Sequence, residues 1–324
     1  LHTVIFEEGS GMEMIEPRAF NSCSALANIV LPDRIHTIGK NAFEGCRSLK
    51  KIVLPAALRK LATYTFKSSG LEEIVMQEGL VEIETRAFEG CKSLVSVTIP
   101  DTVTKLGEYV FYNSSNLEEV IMSEFSICQE VGQNLFHSCT SLKTVHFGPR
   151  INVFGKTLFN KCYAMEEVFL PDDLTEVPAS LFMDCEYLKR VTIPAKATKI
   201  GDDAFKNCVS LESIMIPANV KTIGQNAFSG CTALTTVEIE SGNAMQIISP
   251  NAFYDCTSLV SINLPQTVIE YGDLCFANTG ITTAPISTAT RKIGNYAFYN
   301  CLGLTTLSIP SSVTHIGDFA FAGC

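Results

Sequence analysis

The sequence contains no tryptophan, and it also lacks the usual marks of enzymes and membrane proteins. No apolar run approaches the roughly 20 residues that a membrane-spanning helix needs. Basic residues are the minority, with 24 Lys and Arg against 34 Asp and Glu, and the formal charge is −10. Because phosphate binding needs clustered Lys and Arg, we expect no nucleic-acid partner. We also expect no membrane insertion by this segment.

Catalytic signatures are missing as well. No G-x-S-x-G, H-E-x-x-H, P-loop or dinucleotide-binding fingerprint occurs. A general base needs a partner within hydrogen-bond reach, and the repeat described below brings no such partner to a histidine. We therefore predict a non-enzymatic protein that uses no cofactor. The five histidines fall in different repeats and registers: His2, His36, His137, His146 and His315.

What the sequence does contain is one pattern repeated fourteen times, marked by a phenylalanine every 22 to 25 residues. Fixed spacing of this kind identifies a repeat array. A repeat array overrides the two-domain expectation for 324 residues, so we predict one continuous domain over 1–324. The marker residues are Phe20, Phe43, Phe66, Phe88, Phe111, Phe136, Phe159, Phe182, Phe205, Phe228, Phe253, Phe276, Phe298 and Phe321.

The repeat is clearest in the copy that contains Phe205. Val191 and Ile193 alternate with polar neighbours, and this period of two predicts a half-buried strand. The proline that follows ends the strand, because it has no N–H to donate to a ladder. Ile200 and Gly201 predict a second short strand, in which the glycine provides backbone freedom at a turn.

A short helical turn is predicted to follow the second strand. Asp202 or Asp203 can cap this turn, and Phe205 and Cys208 can both point inward from it. No single copy can bury its own apolar face, so neighbouring copies must stack and pair their strands in parallel. The sequence thus predicts an α/β solenoid of about 14 repeats of 22–25 residues. Parallel strands would form its concave face, with the second strand and the helical turn on the convex side.

Thirteen cysteines are present, and eleven of them lie three residues after a repeat phenylalanine. Ser69, Ser114 and Thr279 fill the same position in the other repeats, so the position calls for a small side chain. A buried free Cys behaves as a small hydrophobe, and the C-x-x-C spacing typical of zinc sites is absent. We predict a ladder of packed, reduced thiols rather than disulfides or a metal site. Cys275 replaces the small Ala before a phenylalanine, and Cys128 has no assigned position.

Both ends of the chain fall inside the repeat. Leu1 lies within a strand pattern, and Cys324 comes part-way through a copy. A solenoid core normally needs polar capping repeats at its ends. We therefore expect this chain to be a segment of a longer protein.

The repeat can be written as the consensus L-x-x-I-x-L-P-x-x-V-x-x-I-G-x-x-A-F-x-x-C-x-S. The residues that carry it are, for example, Leu49, Ile52, Leu54, Pro55, Ile38, Gly39, Ala42, Phe43 and Cys46. This consensus resembles the BspA-like leucine-rich repeats, also called the Treponema pallidum-type class. The resemblance implies a right-handed horseshoe or superhelical solenoid, secreted or anchored at the cell surface. It also implies an adhesin that binds host matrix proteins or other microbial cells.

In each copy, one side chain of the first strand points onto the predicted concave face. Adjacent strands lie ~4.8 Å apart, so five consecutive side chains would form a ridge of about 20 Å. An exposed apolar ridge with a polar flank is typical of protein-binding surfaces. We predict that a protein partner, such as a host matrix or cell-surface protein, binds there. The predicted ridge is Ile121, His146, Phe169, Thr192 and Met215, and its flank is Glu119, Glu167 and Arg190.

Strand propensity is the alternative explanation for this face. Strands favour branched and aromatic residues on either side, so Val30, Val53 and Val75 carry little information about binding. Phe169 and Met215 are less readily explained in this way, because neither is a default choice at an exposed strand position.

The flank also has two interpretations. Glu73, Glu119 and Glu167, each part of a Glu-Glu pair, form an acidic stripe that can meet a basic partner or merely solubilise the surface.

At the level of the whole protein, the alternative to an adhesin is a structural spacer or a self-associating array without its own ligand. Glycan recognition on the concave face is disfavoured, because tryptophan is absent and few aromatic residues face that way.

Overall fold

The protein is described here by a computed structural model that covers residues 1–324. It consists of 24 short strands joined by turns, and these strands belong to two series, the first and the second strand of each copy. The first strands are Thr3–Val4, Asn28–Ile29, Lys51–Val53, Glu73–Val75, Ser96–Thr98, Glu119–Ile121, Thr144–His146, Glu167–Phe169, Arg190–Thr192, Ser213–Ile216 and Thr236–Ile239. The second strands are Met14–Ile15, Thr37–Ile38, Lys60–Leu61, Glu82–Ile83, Lys105–Leu106, Glu130–Val131, Val153–Phe154, Lys199–Ile200, Thr222–Ile223, Ile247–Ile248, Glu270–Tyr271, Lys292–Ile293 and His315–Ile316.

The chain divides into two compact units, residues 1–164 and 165–324, and each holds seven of the repeat phenylalanines. In the first unit, five consecutive second strands form one parallel sheet. In the second unit, six consecutive second strands do the same. The predicted parallel pairing of successive copies is therefore confirmed within each unit. The single continuous domain stays a prediction.

The first strands do not persist through the whole second unit. Strand pairing ends with Thr236–Ile239, whereas the second strands continue to His315–Ile316. Asn263 and Ser308 would be outward strand positions by the sequence pattern, yet both lie outside any strand. The predicted ladder of first strands is therefore wrong for the last three copies.

The predicted helical turn is also wrong, because the segment around each phenylalanine is a series of tight turns. Asp203 and Asn207 have φ angles of +55° and +60°, and a left-handed residue cannot continue a right-handed helix. Alternate N–H groups in this segment bond three residues back, as Lys206 does to Asp203 at 3.2 Å. The others donate to the next copy: Asp203, Phe205 and Asn207 reach the carbonyl oxygens of Gln225, Ala227 and Ser229, each at 2.8 Å.

Without a helix, the proposed aspartate caps have another role. The Oδ1 of Asp202 accepts a hydrogen bond from the backbone N–H of Gln225 at 2.9 Å. The Oδ1 of Asp203 accepts one from the side-chain amide of Asn226 at 3.1 Å. Both aspartates thus join one copy to the next.

Gly201 is required for a reason other than turn freedom. A Cβ added there would lie 2.5 Å from the backbone N of Ala179 in the preceding copy, and real Cβ atoms do not approach backbone so closely. The glycine therefore permits close packing of neighbouring backbones.

The core of each unit is a column of phenylalanine rings. Successive rings within a unit stack with centroids 5.1–5.7 Å apart and planes within 2–18° of parallel. Phe205, for example, is completely buried and lies between Phe182 and Phe228. Parallel offset stacking adds to the apolar burial of these large side chains. The inward orientation predicted for the repeat phenylalanine is confirmed.

The thiol positions form a second column beside the rings. The Sγ of Cys208 donates to the carbonyl oxygen of Phe182 at 3.2 Å, and that of Cys231 donates to Phe205 at 3.1 Å. Where serine replaces the cysteine, Ser114 Oγ donates to Phe88 in the same way at 3.0 Å. In these copies the position holds a small hydrogen-bond donor, whereas Ser69 Oγ lies 3.4 Å from Cys91 Sγ and Thr279 donates to Phe276 within its own turn at 2.8 Å.

Burial keeps these thiols protonated. Loss of solvation raises the pKa of Cys231 to about 12 and that of Cys128 to about 11. Cys128 is buried three residues before Val131, the place that Val103 takes before Leu106 in the preceding copy. Its position, unassigned from sequence, is that of a core aliphatic residue.

Candidate protein-binding surface

Ion pairs between neighbouring copies line the outer side of the first strands. Lys51 Nζ lies 2.7 Å from Glu73 Oε1, across the paired first strands of two copies. Glu119 Oε1 lies 3.5 Å from His146 Nε2. The acidic stripe predicted from the Glu-Glu pairs is thus opposed at each point by a basic group or a histidine. It is not a free anionic surface.

In the first unit, two predicted ridge residues lie side by side. Ile121 is half-buried and pairs with His146 on the adjacent strand. The His146 side chain is exposed and faces the Glu119 carboxylate. This part of the surface therefore combines a shielded aliphatic side chain with an exposed imidazole beside a carboxylate.

In the second unit, the ridge is more exposed and more apolar. Phe169 is 70% exposed and pairs in register with Thr192, which is also exposed. Met215, on the following first strand, is 58% exposed. Two large apolar side chains thus project from the first strands on either side of the one that carries Thr192, where water contact costs free energy.

The polar flank of this second group is an organised ion pair. The Nε and Nη2 atoms of Arg190 donate to the two carboxylate oxygens of Glu167 at 3.2 and 3.0 Å. This two-point geometry fixes both side chains and raises the pKa of Arg190 through the hydrogen bond to Glu167. Glu167, Arg190, Phe169 and Thr192 therefore form one ordered patch across two paired strands.

The eight predicted residues are brought together as two groups, one in each unit. Ile121, His146 and Glu119 form the first group, and the other five form the second. Their continuity as one ridge stays a prediction, as does their role in binding.

Sequence reasoning missed one exposed side chain on the same face. Ile5 is 83% exposed, and it follows directly on the strand pair that joins Thr3–Val4 to Asn28–Ile29. It therefore lies beside Val30, which is also 83% exposed. The period of two places Ile5 outward between Val4 and Phe6, a signal that was available in the sequence.

No group of three or more His, Cys, Asp or Glu side chains is placed to hold a metal ion. The chain also has no helix of the length and apolar character that crossing a bilayer requires. What the first strands present is apolar contact area with ordered ion pairs at its side.

Parallel strands, a stacked ring column and copies of 22–25 residues define a leucine-rich-repeat solenoid. The family model described as the BspA type leucine rich repeat region matches residues 2–118, 109–235 and 232–324. The chain belongs to this family, and the resemblance drawn from the consensus is confirmed. No curated protein matches the sequence.

Solved structures of bacterial proteins share the fold. A leucine-rich repeat protein from Bacteroides ovatus is 26% identical with a TM-score of 0.87, covering 100% of this chain and 84% of that one. One from Eubacterium ventriosum is 22% identical with a TM-score of 0.59, covering 93% and 83%. A leucine rich cell surface protein from Faecalibacterium prausnitzii is 26% identical with a TM-score of 0.50, covering 76% and 81%.

Proposed function

We propose that this chain is a non-catalytic binding solenoid that acts at the cell surface or after secretion as an adhesin. Its partner is a host or microbial protein, which it contacts through the first strands. The observation that carries the proposal is the exposure of Phe169 and Met215, at 70% and 58%, beside the Glu167–Arg190 pair.

Three further points support it. Large apolar side chains surrounded by ordered polar groups are the usual centre and rim of a protein interface. Leucine-rich-repeat solenoids are generally non-enzymatic. The similar protein from Faecalibacterium prausnitzii is described as a cell surface protein.

The test is a binding measurement with a paired variant. The chain is applied to immobilised extracellular matrix proteins and to intact host and bacterial cells, beside the double variant Phe169→Ala with Met215→Ala. We expect the wild type to bind at least one of these surfaces and the double variant to bind at least tenfold more weakly, about 1.4 kcal/mol. Its thermal midpoint should stay close to that of the wild type, because neither side chain is buried.

A matched control comes from the same unit. Tyr187 and Leu302 are 58% and 75% exposed but lie in turns, away from the first strands. The double variant Tyr187→Ala with Leu302→Ala removes an aromatic and an aliphatic side chain without touching the ridge, so it should bind like the wild type. If the ridge variant binds as well as the wild type, the binding site must lie elsewhere on the chain. If the wild type binds none of these surfaces, a structural spacer is favoured.

A further inference from the structure

A second cluster of surface side chains lies away from the first strands, on the turns around the repeat phenylalanines. Six of the nine tyrosines occupy just two places in the repeat, two residues before or one residue after that phenylalanine. They are Tyr64, Tyr109, Tyr112, Tyr254, Tyr296 and Tyr299. The first three lie together in the first unit.

The place two residues before the phenylalanine is conformationally demanding. Every residue there has a left-handed φ, between 54° and 64°. Asparagine and aspartate adopt this conformation most readily, whereas bulky side chains are strained in it. Seven copies use a short polar residue: Asn41, Asn134, Thr157, Ser180, Asp203, Asn226 and Asn251. The other seven copies have a larger side chain there: Arg18, Leu274, Tyr296 and Phe319, and, in three consecutive copies of the first unit, Tyr64, Arg86 and Tyr109.

These three side chains form a stack across three copies. The guanidinium carbon of Arg86 lies 4.4 Å from the ring centre of Tyr109 and 5.9 Å from that of Tyr64. Lys67 Nζ lies 4.9 Å from the Tyr64 ring centre. The Tyr112 ring meets the Tyr109 ring edge-on, with centroids 5.7 Å apart. Cation–π contact of this kind fixes side chains that would otherwise be mobile.

The stack retains unused hydrogen-bonding capacity. Arg86 has five N–H donors, and Nη1 bonds Glu89 Oε2 at 3.0 Å while its other nitrogens have no acceptor within the protein. The hydroxyl groups of Tyr64, Tyr109 and Tyr112 have no hydrogen-bond partner in the protein either. All four side chains are half-buried and so reach solvent.

The charge of the stack is opposite to that of the chain. Lys67 and Arg86 both pair with Glu89, at 3.3 and 3.0 Å, which leaves a net charge of +1 on the cluster. The chain as a whole carries −10. The cluster therefore favours an acidic ligand over a basic one, and a carboxylate matches the free edge of the Arg86 guanidinium.

The ring faces indicate a peptide rather than a sugar. Sugars need an open ring face on which to stack, but Arg86 lies against the rings of Tyr64 and Tyr109, and His137 is stacked on Tyr112 at 5.1 Å. Ring edges, hydroxyl groups and free N–H donors remain, and Tyr and Arg presented in this way are enriched at the centres of protein interfaces.

We propose that Tyr64, Lys67, Arg86, Tyr109 and Tyr112, the turn patch, form a second binding surface that takes an acidic segment of a protein partner. The turn patch is separate from the ridge of the first strands and does not depend on it.

The experiment selects binders from a displayed library of random dodecapeptides, with the full chain as bait. The counter-bait is the triple variant Tyr64→Asn, Arg86→Asn, Tyr109→Asn, which restores the residue used by other copies. We expect peptides enriched in Asp and Glu that bind the wild type and bind the triple variant at least tenfold more weakly. The thermal midpoint of the triple variant should equal or exceed that of the wild type, because Asn relieves the strain.

Two controls separate the alternatives. The variant Tyr296→Asn with Phe319→Asn changes the same place in the second unit, where the two rings stack at 5.1 Å, and should bind the selected peptides normally. Arg86→Lys keeps the charge but not the fork, and should bind with intermediate strength. Three results would each overturn the proposal. The first is a thermal midpoint of the triple variant below that of the wild type, and the second is a set of selected peptides without Asp and Glu. The third is binding of hyaluronan, instead of acidic peptides, that is lost in the triple variant.

Discussion

The column of phenylalanine rings and the outer face of the first strands are built from the same copies under opposite constraints. In the column, one residue type recurs fourteen times, with ring spacings that differ by only a few tenths of an ångström within each unit. On the outer face, successive copies present Thr98, Ile121 and His146, then Phe169 and Thr192.

The difference shows which positions the stacking of copies determines. A ring in the column touches the next copy on both sides, so any change there disturbs two interfaces. An outward side chain of a first strand touches only its lateral neighbours and solvent, so the fold leaves it free to vary. Variation on the outer face is therefore the place where individual function can be encoded.

Removing one ring should give the largest effect. Phe205→Ala deletes a fully buried side chain between two stacked rings, and we expect the free energy of unfolding to fall by about 3–5 kcal/mol. Phe169→Ala, the same change on the outer face, should cost less than about 1 kcal/mol. Urea denaturation followed by circular dichroism measures both. Comparable losses in the two variants would contradict the distinction between column and face.

The thiol column allows a sharper test of the same distinction. Cys208→Ser keeps a donor for the carbonyl oxygen of Phe182, whereas Cys208→Ala removes it. We expect the alanine variant to be less stable than the serine variant by about 1 kcal/mol. Urea denaturation of the two variants under one set of conditions measures this difference. An alanine variant as stable as the serine variant would show that the position selects size alone.

The sequence predicted the repeat, the strand pairing and the inward rings, because these follow from spacing and from the period of two. It did not predict the tight turns, because Ala-Phe followed by Cys three residues on is equally compatible with a helical turn. Only the backbone hydrogen bonds that Phe205 and its neighbours donate to the next copy distinguish the tight turns from a helical turn. The ion partners of Glu73 and Glu119 were missed for a similar reason, since they lie in adjacent copies.

Alkaline pH should destabilise the buried thiol column before it affects the outer face of the first strands. Burial raises the pKa of Cys231 from 9.0 to about 12, so the folded chain keeps a proton that the unfolded chain releases above about pH 9. The stability contributed by this thiol is complete below that pH and is lost as the pH rises towards the folded value.

The measurement is the thermal midpoint between about pH 8 and about pH 10.5, where this linkage acts. We expect Cys231→Ser to lose less stability over that interval than the wild type, because a serine hydroxyl does not titrate there. Parallel curves for the two proteins would mean that the thiol makes no contribution. Phe169→Ala, which leaves every thiol in place, should follow the wild-type curve.

The smallest effect on stability should come from the outer face itself. Arg190 is 74% exposed although it binds Glu167 at two points, and exposed ion pairs gain little because water and salt screen them. We expect Arg190→Ala to unfold at the same urea concentration as the wild type. The same variant should bind the ridge partner more slowly, with a weaker dependence on salt, because rim charges act mainly on association rate. A clear loss of stability would instead show that the fold depends on the Glu167–Arg190 pair. The outer face would then be constrained by the fold, as the phenylalanine column is.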